Sequence, residues 1–112
     1  MIEIEVVVDQ EGVLRDCRVL GHAGAGKAGA DIVCAAVSVL MRSALKALSG
    51  RKGIRVRGGA PEPGFLWMEA DYTAEGREFL SAAGVFLTEG LGSVAEEFPD
   101  YCRLNIHTER RT

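Results

Sequence analysis

The chain contains no apolar run long enough to cross a bilayer. Its opening, Met1-Ile2-Glu3-Ile4-Glu5, alternates apolar and acidic residues, so a signal peptide is not expected either. No membrane partner follows from this sequence, and the expected compartment is the cytoplasm. Cysteine is scarce. Cys17, Cys34 and Cys102 are odd in number and show no CxxC spacing, which argues against both a disulfide framework and a zinc site. A basic surplus is missing too. The net charge of −3 lacks the footprint of direct nucleic-acid binding. Histidine occurs twice, at His22 and His107, so histidine chemistry has two candidates.

What is present is one ordinary domain. The 112 residues, 47% hydrophobic and 26% charged, suit a single folding unit spanning residues 1–112. Ile2, Ile4, Val6 and Val8 alternate with Glu3, Glu5 and Val7, as a half-buried strand requires. Asp9-Gln10-Glu11-Gly12 reads as a hairpin turn into a second strand over Val13 to Leu20. A glycine-rich loop follows. Asp31 is a good N-cap for a dense apolar helix from Ile32 to Leu48, closed by Ser49-Gly50. Ile54 and Val56 mark a short third strand, and Arg51, Lys52, Arg55 and Arg57 around them suit a charged edge. The composition of residues 58–64 reads as a turn, before a fourth strand from Phe65 to Asp71.

Thr73 can cap a second helix. Its apolar stripe would be Phe79, Ala83, Phe86, Gly90, Val94 and Phe98, and Pro99 would stop it. Gly76, Gly84, Gly90 and Gly92 weaken this helix, and close backbone approach is one reason to keep them. Tyr101 to His107 makes a last strand. The order β-β-α-β-β-α-β predicts an α+β, two-layer sandwich with a mostly antiparallel sheet and two helices.

The chemistry concentrates between the second strand and the first helix. His22 follows the strand, and Cys34 falls in the first helical turn if Asp31 caps it. Free N–H groups and the helix dipole would then favour a thiolate and hold an oxyanion. His22 is placed to take the thiol proton and pass it to a leaving amine. Asp31 can orient His22. Ser38, one turn beyond Cys34, can hydrogen-bond near the thiol. Plainer readings stand beside these. Cys34 on an Ala/Val helix can be core, like Cys17 and Cys102, and Ser38 can bond back to the carbonyl four residues earlier. His107 is a weaker base candidate, with no motif around it.

The same loop nearly matches a phosphate-binding motif. Gly21-x4-Gly26-Lys27 lies between a strand and a helix. Ala28 lacks the hydroxyl that would ligate magnesium, and a carboxylate at Asp31 repels phosphate. Nucleotide binding is therefore set aside, and no metal or other cofactor is called for.

Gly21-His22-Ala23-Gly24 and Asp31-Ile32-Val33-Cys34-Ala35-Ala36-Val37-Ser38 resemble the ribosomal-processing cysteine protease (Prp) family. Weaker similarity covers nearly the whole chain, including Ala95-Glu96-Glu97-Phe98-Pro99-Asp100-Tyr101. The resemblance implies a small α/β sandwich, usually a homodimer. It matches His22 and Cys34 to a catalytic dyad, and Gly21, Asp31 and Ser38 to supporting positions. Family members remove a short N-terminal extension from the twenty-seventh large-subunit ribosomal protein, cutting after an aromatic residue, typically Phe. The expected partner is thus the N-terminal peptide of a ribosomal protein. Ala23, Gly24, Ala25, Gly26, Lys27, Ala28, Gly29 and Ala30 form the expected substrate loop, in which Ala25, Gly26, Lys27 and Ala28 are mostly small where family loops often carry aromatic or larger polar residues. The competing expectation is a ribosome-associated binding module that needs no reactive thiol.

Overall fold

The computed structural model describes residues 1–21 and 28–110, with side chains at 1–21 and 31–110. Seven elements follow in chain order: β1 (Ile2–Val8), β2 (Leu14–Leu20), α1 (Ala28–Leu48), β3 (Ile54–Glu62), β4 (Phe65–Tyr72), α2 (Arg77–Glu97) and β5 (Cys102–Thr108). The strands form one sheet in the order β3-β4-β2-β1-β5. Every pairing is antiparallel except β1 with β5. This is the expected α+β sandwich.

Alternation decides which sheet face is covered. Ile2, Ile4 and Val6 of β1, Cys17 and Val19 of β2, Met68 of β4 and Cys102 of β5 are buried in one cluster. Val33, Val37 and Met41 of α1 and Leu87, Leu91 and Val94 of α2 close over it. At the far end a smaller cluster joins Val13, Leu48, Ala70 and Leu80. The other sheet face is charged. Glu5 lies opposite Arg18 and Asn105 there, and Arg57 opposite Glu69. His107 belongs to this outer face, its Nε2 2.8 Å from Glu5 Oε2.

The hairpin turn is held as its composition predicts. The Asp9 carboxylate accepts from the N–H groups of Glu11 (2.9 Å) and Val13 (3.0 Å), and Gly12 takes φ +84°.

Four expectations need correction. Helix α1 starts at Ala28, not after a cap at Asp31. The small residues ahead of Asp31 include alanines, the best helix formers, and they extend the helix upstream. Asp31 sits in the first turn instead, exposed, its charge still favourable to the dipole. Second, Gly76 rather than Thr73 holds the N-cap position of α2, with no side-chain cap; Thr73 contributes its carbonyl, which accepts the Gly76 N–H at 3.0 Å.

Third, the buried stripe of α2 is Leu80, Gly84, Leu87, Leu91 and Val94, and Phe86 is 75% exposed. The phase is set by Gly84, where an added Cβ would lie 2.8 Å from the Leu14 Cβ. A helix that presses its backbone on β2 there must turn Phe86 outward. Fourth, the segment read as a turn is mostly strand. β3 runs through Gly58, Gly59 and Pro61 to Glu62, leaving only Pro63 and Gly64 to reverse the chain. β3 is an edge strand with an irregular register between Gly59 and Glu62, where glycine and proline are tolerated.

Candidate active site

The end of the sheet opposite the hairpin gathers four distant pieces of chain. These are the start of β1, the end of β2, the β3–β4 turn and the first turns of α1. Antiparallel pairing brings Leu20 opposite Phe65. Gly21 then donates its N–H to the Gly64 carbonyl at 2.9 Å. Gly21 has φ +113°, and a Cβ there would strike the Met1 carbonyl. Only glycine leaves β2 in that direction.

Between these pieces lies a cavity of about 200 Å³. Ile2, Val19, Val37, Phe65 and Leu66 give it apolar walls, and Cys34, Ser38, Gly21 and Glu62 also line it. A larger depression of about 470 Å³ lies beside Gly53 and Tyr72, but its lining contains neither cysteine nor histidine.

Cys34 is half-buried and packs against the main core while opening to this cavity. The other two thiols are core, as expected. Burial, reinforced by Asp16, pushes the Cys17 thiol up to about 12. Cys102 is raised by burial, then by the neighbouring charges of Glu3 and Cys34. Both resist ionisation at neutral pH.

Ser38 lies one turn after Cys34 on the same wall. Its hydroxyl is not spent on the helix. Among the described residues Ser49, Thr88 and Ser93 bond back to the carbonyl four residues earlier, at 2.7, 2.8 and 2.9 Å, whereas Ser38 makes no such bond.

The upstream start of α1 changes one part of the expected chemistry. Cys34 is the seventh residue from Ala28, beyond the first turn. The unbonded N–H groups of a helix belong to its first four residues, and the dipole acts mainly there. Cys34 is therefore not the N3 residue, and its own N–H lies inside the helix.

Of the expected site residues, the fold brings Gly21, Cys34 and Ser38 to one cavity. Asp31 is exposed and absent from the lining. His22, Ala23, Gly24, Ala25, Gly26 and Lys27 lie outside the described residues, as do the side chains of Ala28, Gly29 and Ala30. His107, the alternative base, sits on the opposite sheet face from Cys34. Sequence reasoning missed Ile2, Glu62 and Phe65 as cavity residues. No local signal marks them, because they arrive through pairings between distant strands. Among the described residues no group of three or more His, Cys, Asp or Glu side chains is arranged to hold a metal.

Three comparisons bear on this arrangement. Residues 1–103 match the family model of the cysteine protease Prp. The ribosomal processing cysteine protease Prp of Staphylococcus aureus is 38% identical over 50 residues, 45% of this chain and 47% of that protein. The matched segment thus spans about half of that relative's length. The crystal structure of the essential ribosomal processing protease Prp from S. aureus with a substrate peptide superposes with a TM-score of 0.79 at 24% identity, covering 95% of this chain and 99% of that one. The same S. aureus protease with a covalently linked product peptide gives a TM-score of 0.78 at 26% identity and the same coverage. The chain belongs to the cysteine protease Prp family.

Proposed function

We propose that this chain is a cysteine endopeptidase that removes the N-terminal extension of a large-subunit ribosomal protein, the twenty-seventh, in the cytoplasm. The observation that carries this reading is the single half-buried thiol, Cys34, opening into an apolar cavity at the end of β2. A cavity of roughly 150 Å³ with apolar walls accepts a benzene ring. The cavity beside Cys34, about 200 Å³, therefore has room for the ring of a Phe preceding the scissile bond.

In this mechanism the Cys34 thiol gives its proton to His22, and the sulfur adds to the scissile carbonyl carbon. The tetrahedral species collapses, the C–N bond breaks, and His22 returns the proton to the leaving amine. Water then adds to the thioester with His22 again as base. The acid departs and the thiol is restored. His22 directly follows Gly21 in the chain, and Gly21 lines the cavity that Cys34 lines, which supports pairing these two residues. Ser38 has a hydroxyl available at the same wall to hydrogen-bond near the sulfur or the peptide.

The S. aureus protease structures carry a substrate peptide and a covalently linked product peptide, which supports a peptide ligand for this chain. Assembly as a homodimer is part of the same reading, and sedimentation at micromolar concentration tests it. The decisive experiment incubates the protein with a peptide spanning such a ribosomal extension and analyses the products by mass spectrometry. Cleavage after an aromatic residue that vanishes in Cys34→Ala, with peptide binding retained, is the expected result. Cleavage that survives Cys34→Ala rules out the thiol mechanism. Binding without cleavage by the wild-type chain identifies the protein as a binding module.

A further inference from the structure

We propose that Glu62 makes this site selective for peptides carrying a lysine or arginine close to the scissile bond. The inference rests on the peptidase reading above, and adds a charge requirement to it.

Glu62 is the only charged residue among the described residues lining the Cys34 cavity. The remaining lining is apolar, small or uncharged, so whatever enters is sorted by shape within and by charge at Glu62. The residue is exposed and ends β3, which places its carboxylate at the rim rather than the floor. Its position is fixed from both sides. Upstream, the register irregularity between Gly59 and Glu62 bends the strand end, and Glu62 still pairs with Phe65. Downstream, Pro63 restricts the backbone and the Gly64 carbonyl is tied to Gly21.

Among the described residues no cation neutralises this charge. The neighbouring cation on β3, Arg57, is held by Glu69 at 3.1 Å. Glu62 forms no ion pair among the described residues. A carboxylate beside low-dielectric walls attracts a cationic side chain and repels an acidic one, which affects encounter and register alike. An extended peptide advances about 3.3 Å per residue. A side chain reaching Glu62 therefore lies within a few residues of the one that fills the cavity.

The test compares peptides that differ only in one residue, Gln, Lys or Glu, stepped through the three positions on each side of the scissile bond. The readout is the kcat/KM ratio of the Lys peptide to the Gln peptide within each protein. The wild-type ratio should reach about 3 to 5 at one position, the range of an exposed ion pair, and shrink as salt rises. Glu62→Gln should bring that ratio to about 1, and Glu62→Lys should turn it in favour of the Glu peptide. A ratio near 1 at every position in the wild type overturns the proposal, as does a Lys preference that persists in both variants. The same peptides bound to Cys34→Ala, followed by fluorescence anisotropy, give the ratio without turnover. Absence of cleavage with a charge-dependent affinity counts against the peptidase, not against Glu62. Equal affinities for all three peptides count against Glu62.

Discussion

The two ends of the sheet treat their polar groups in opposite ways. At the hairpin end, Asp9 accepts from two backbone N–H groups and from the Tyr72 hydroxyl, and Glu11 pairs with Arg77 at 3.0 Å. These carboxylates are engaged in holding the turn. At the other end Cys34, Ser38 and Glu62 line an apolar cavity, and among the described residues their side chains make no bond to one another. One end uses its polar side chains to close a turn, while the other leaves them facing a space. The same sheet supplies both, so the difference comes from what the strand ends carry: an Asx-type turn in one case, glycines in the other.

The largest test of this contrast removes the thiol. Cys34→Ala should lower peptide cleavage by at least about 10³-fold, as loss of a nucleophile does, while leaving the unfolding midpoint within a few degrees. Cys17→Ala should do the reverse. Its side chain is 0% exposed, and truncation should cost about 1–2 kcal/mol by chemical denaturation without altering cleavage by the folded protein.

Chemical labelling sharpens the same distinction with the native protein. Iodoacetamide should modify Cys34 first, since burial raises both Cys17 and Cys102. Mass spectrometry of the folded protein should find one fast adduct and two more only after unfolding. Equal rates at all three cysteines would erase the difference between site and core.

At the glycine junction, Gly21→Ala should destabilise the protein by about 1–3 kcal/mol, because it forces a side chain into a φ of +113° against Met1. Cleavage should fall as well, since Gly21 leads into His22.

The smallest effect belongs to the hairpin end. Tyr72→Phe should cost about 1–2 kcal/mol, as expected for a hydrogen bond to a carboxylate, with cleavage unchanged. Its pH dependence has a defined sign. Burial pushes Asp9 up, but the bonds from Tyr72, Val13 and Glu11 outweigh this and hold the carboxyl below its ordinary value. Its contribution is therefore present at neutral pH and fades as pH falls below about 4. The bond to Asp9 raises Tyr72 to about 12, helped by burial. That contribution holds below about pH 10 and is lost as pH climbs through the raised value. Unfolding midpoints measured across this range should vary less in Tyr72→Phe.

Much of the molecule was legible in sequence because its signals are local. Alternation from Ile2 to Val8, the Asp9 turn and the apolar density from Ile32 to Leu48 each report on neighbours a few residues away. Gly84 also behaved as its residue type suggests, by letting two backbones approach. The failures share a cause. The phase of α2 depends on contact between Gly84 and Leu14, which no helical period contains. The length of β3 depends on its place at the sheet edge, where glycines and Pro61 are tolerated. Cys34 was readable as a candidate from its motif. The walls around it were not, because Ile2, Phe65 and Leu66 reach it through pairings set by the whole sheet.

The parallel pairing of β1 with β5 has a consequence for how the molecule is made. Ile2, a wall of the cavity, is opposite Cys102, and its N–H is bonded to the Tyr101 carbonyl at 2.8 Å. Along this ladder partners stand 100 residues apart, as Asn105 and Glu5 do. Contacts so distant in the chain close late in folding. During synthesis the thiol is made long before the strand that fixes its surroundings. Among the described residues every one that lines the cavity is made before β5, so the last strand adds no wall but the anchor that holds Ile2 in place.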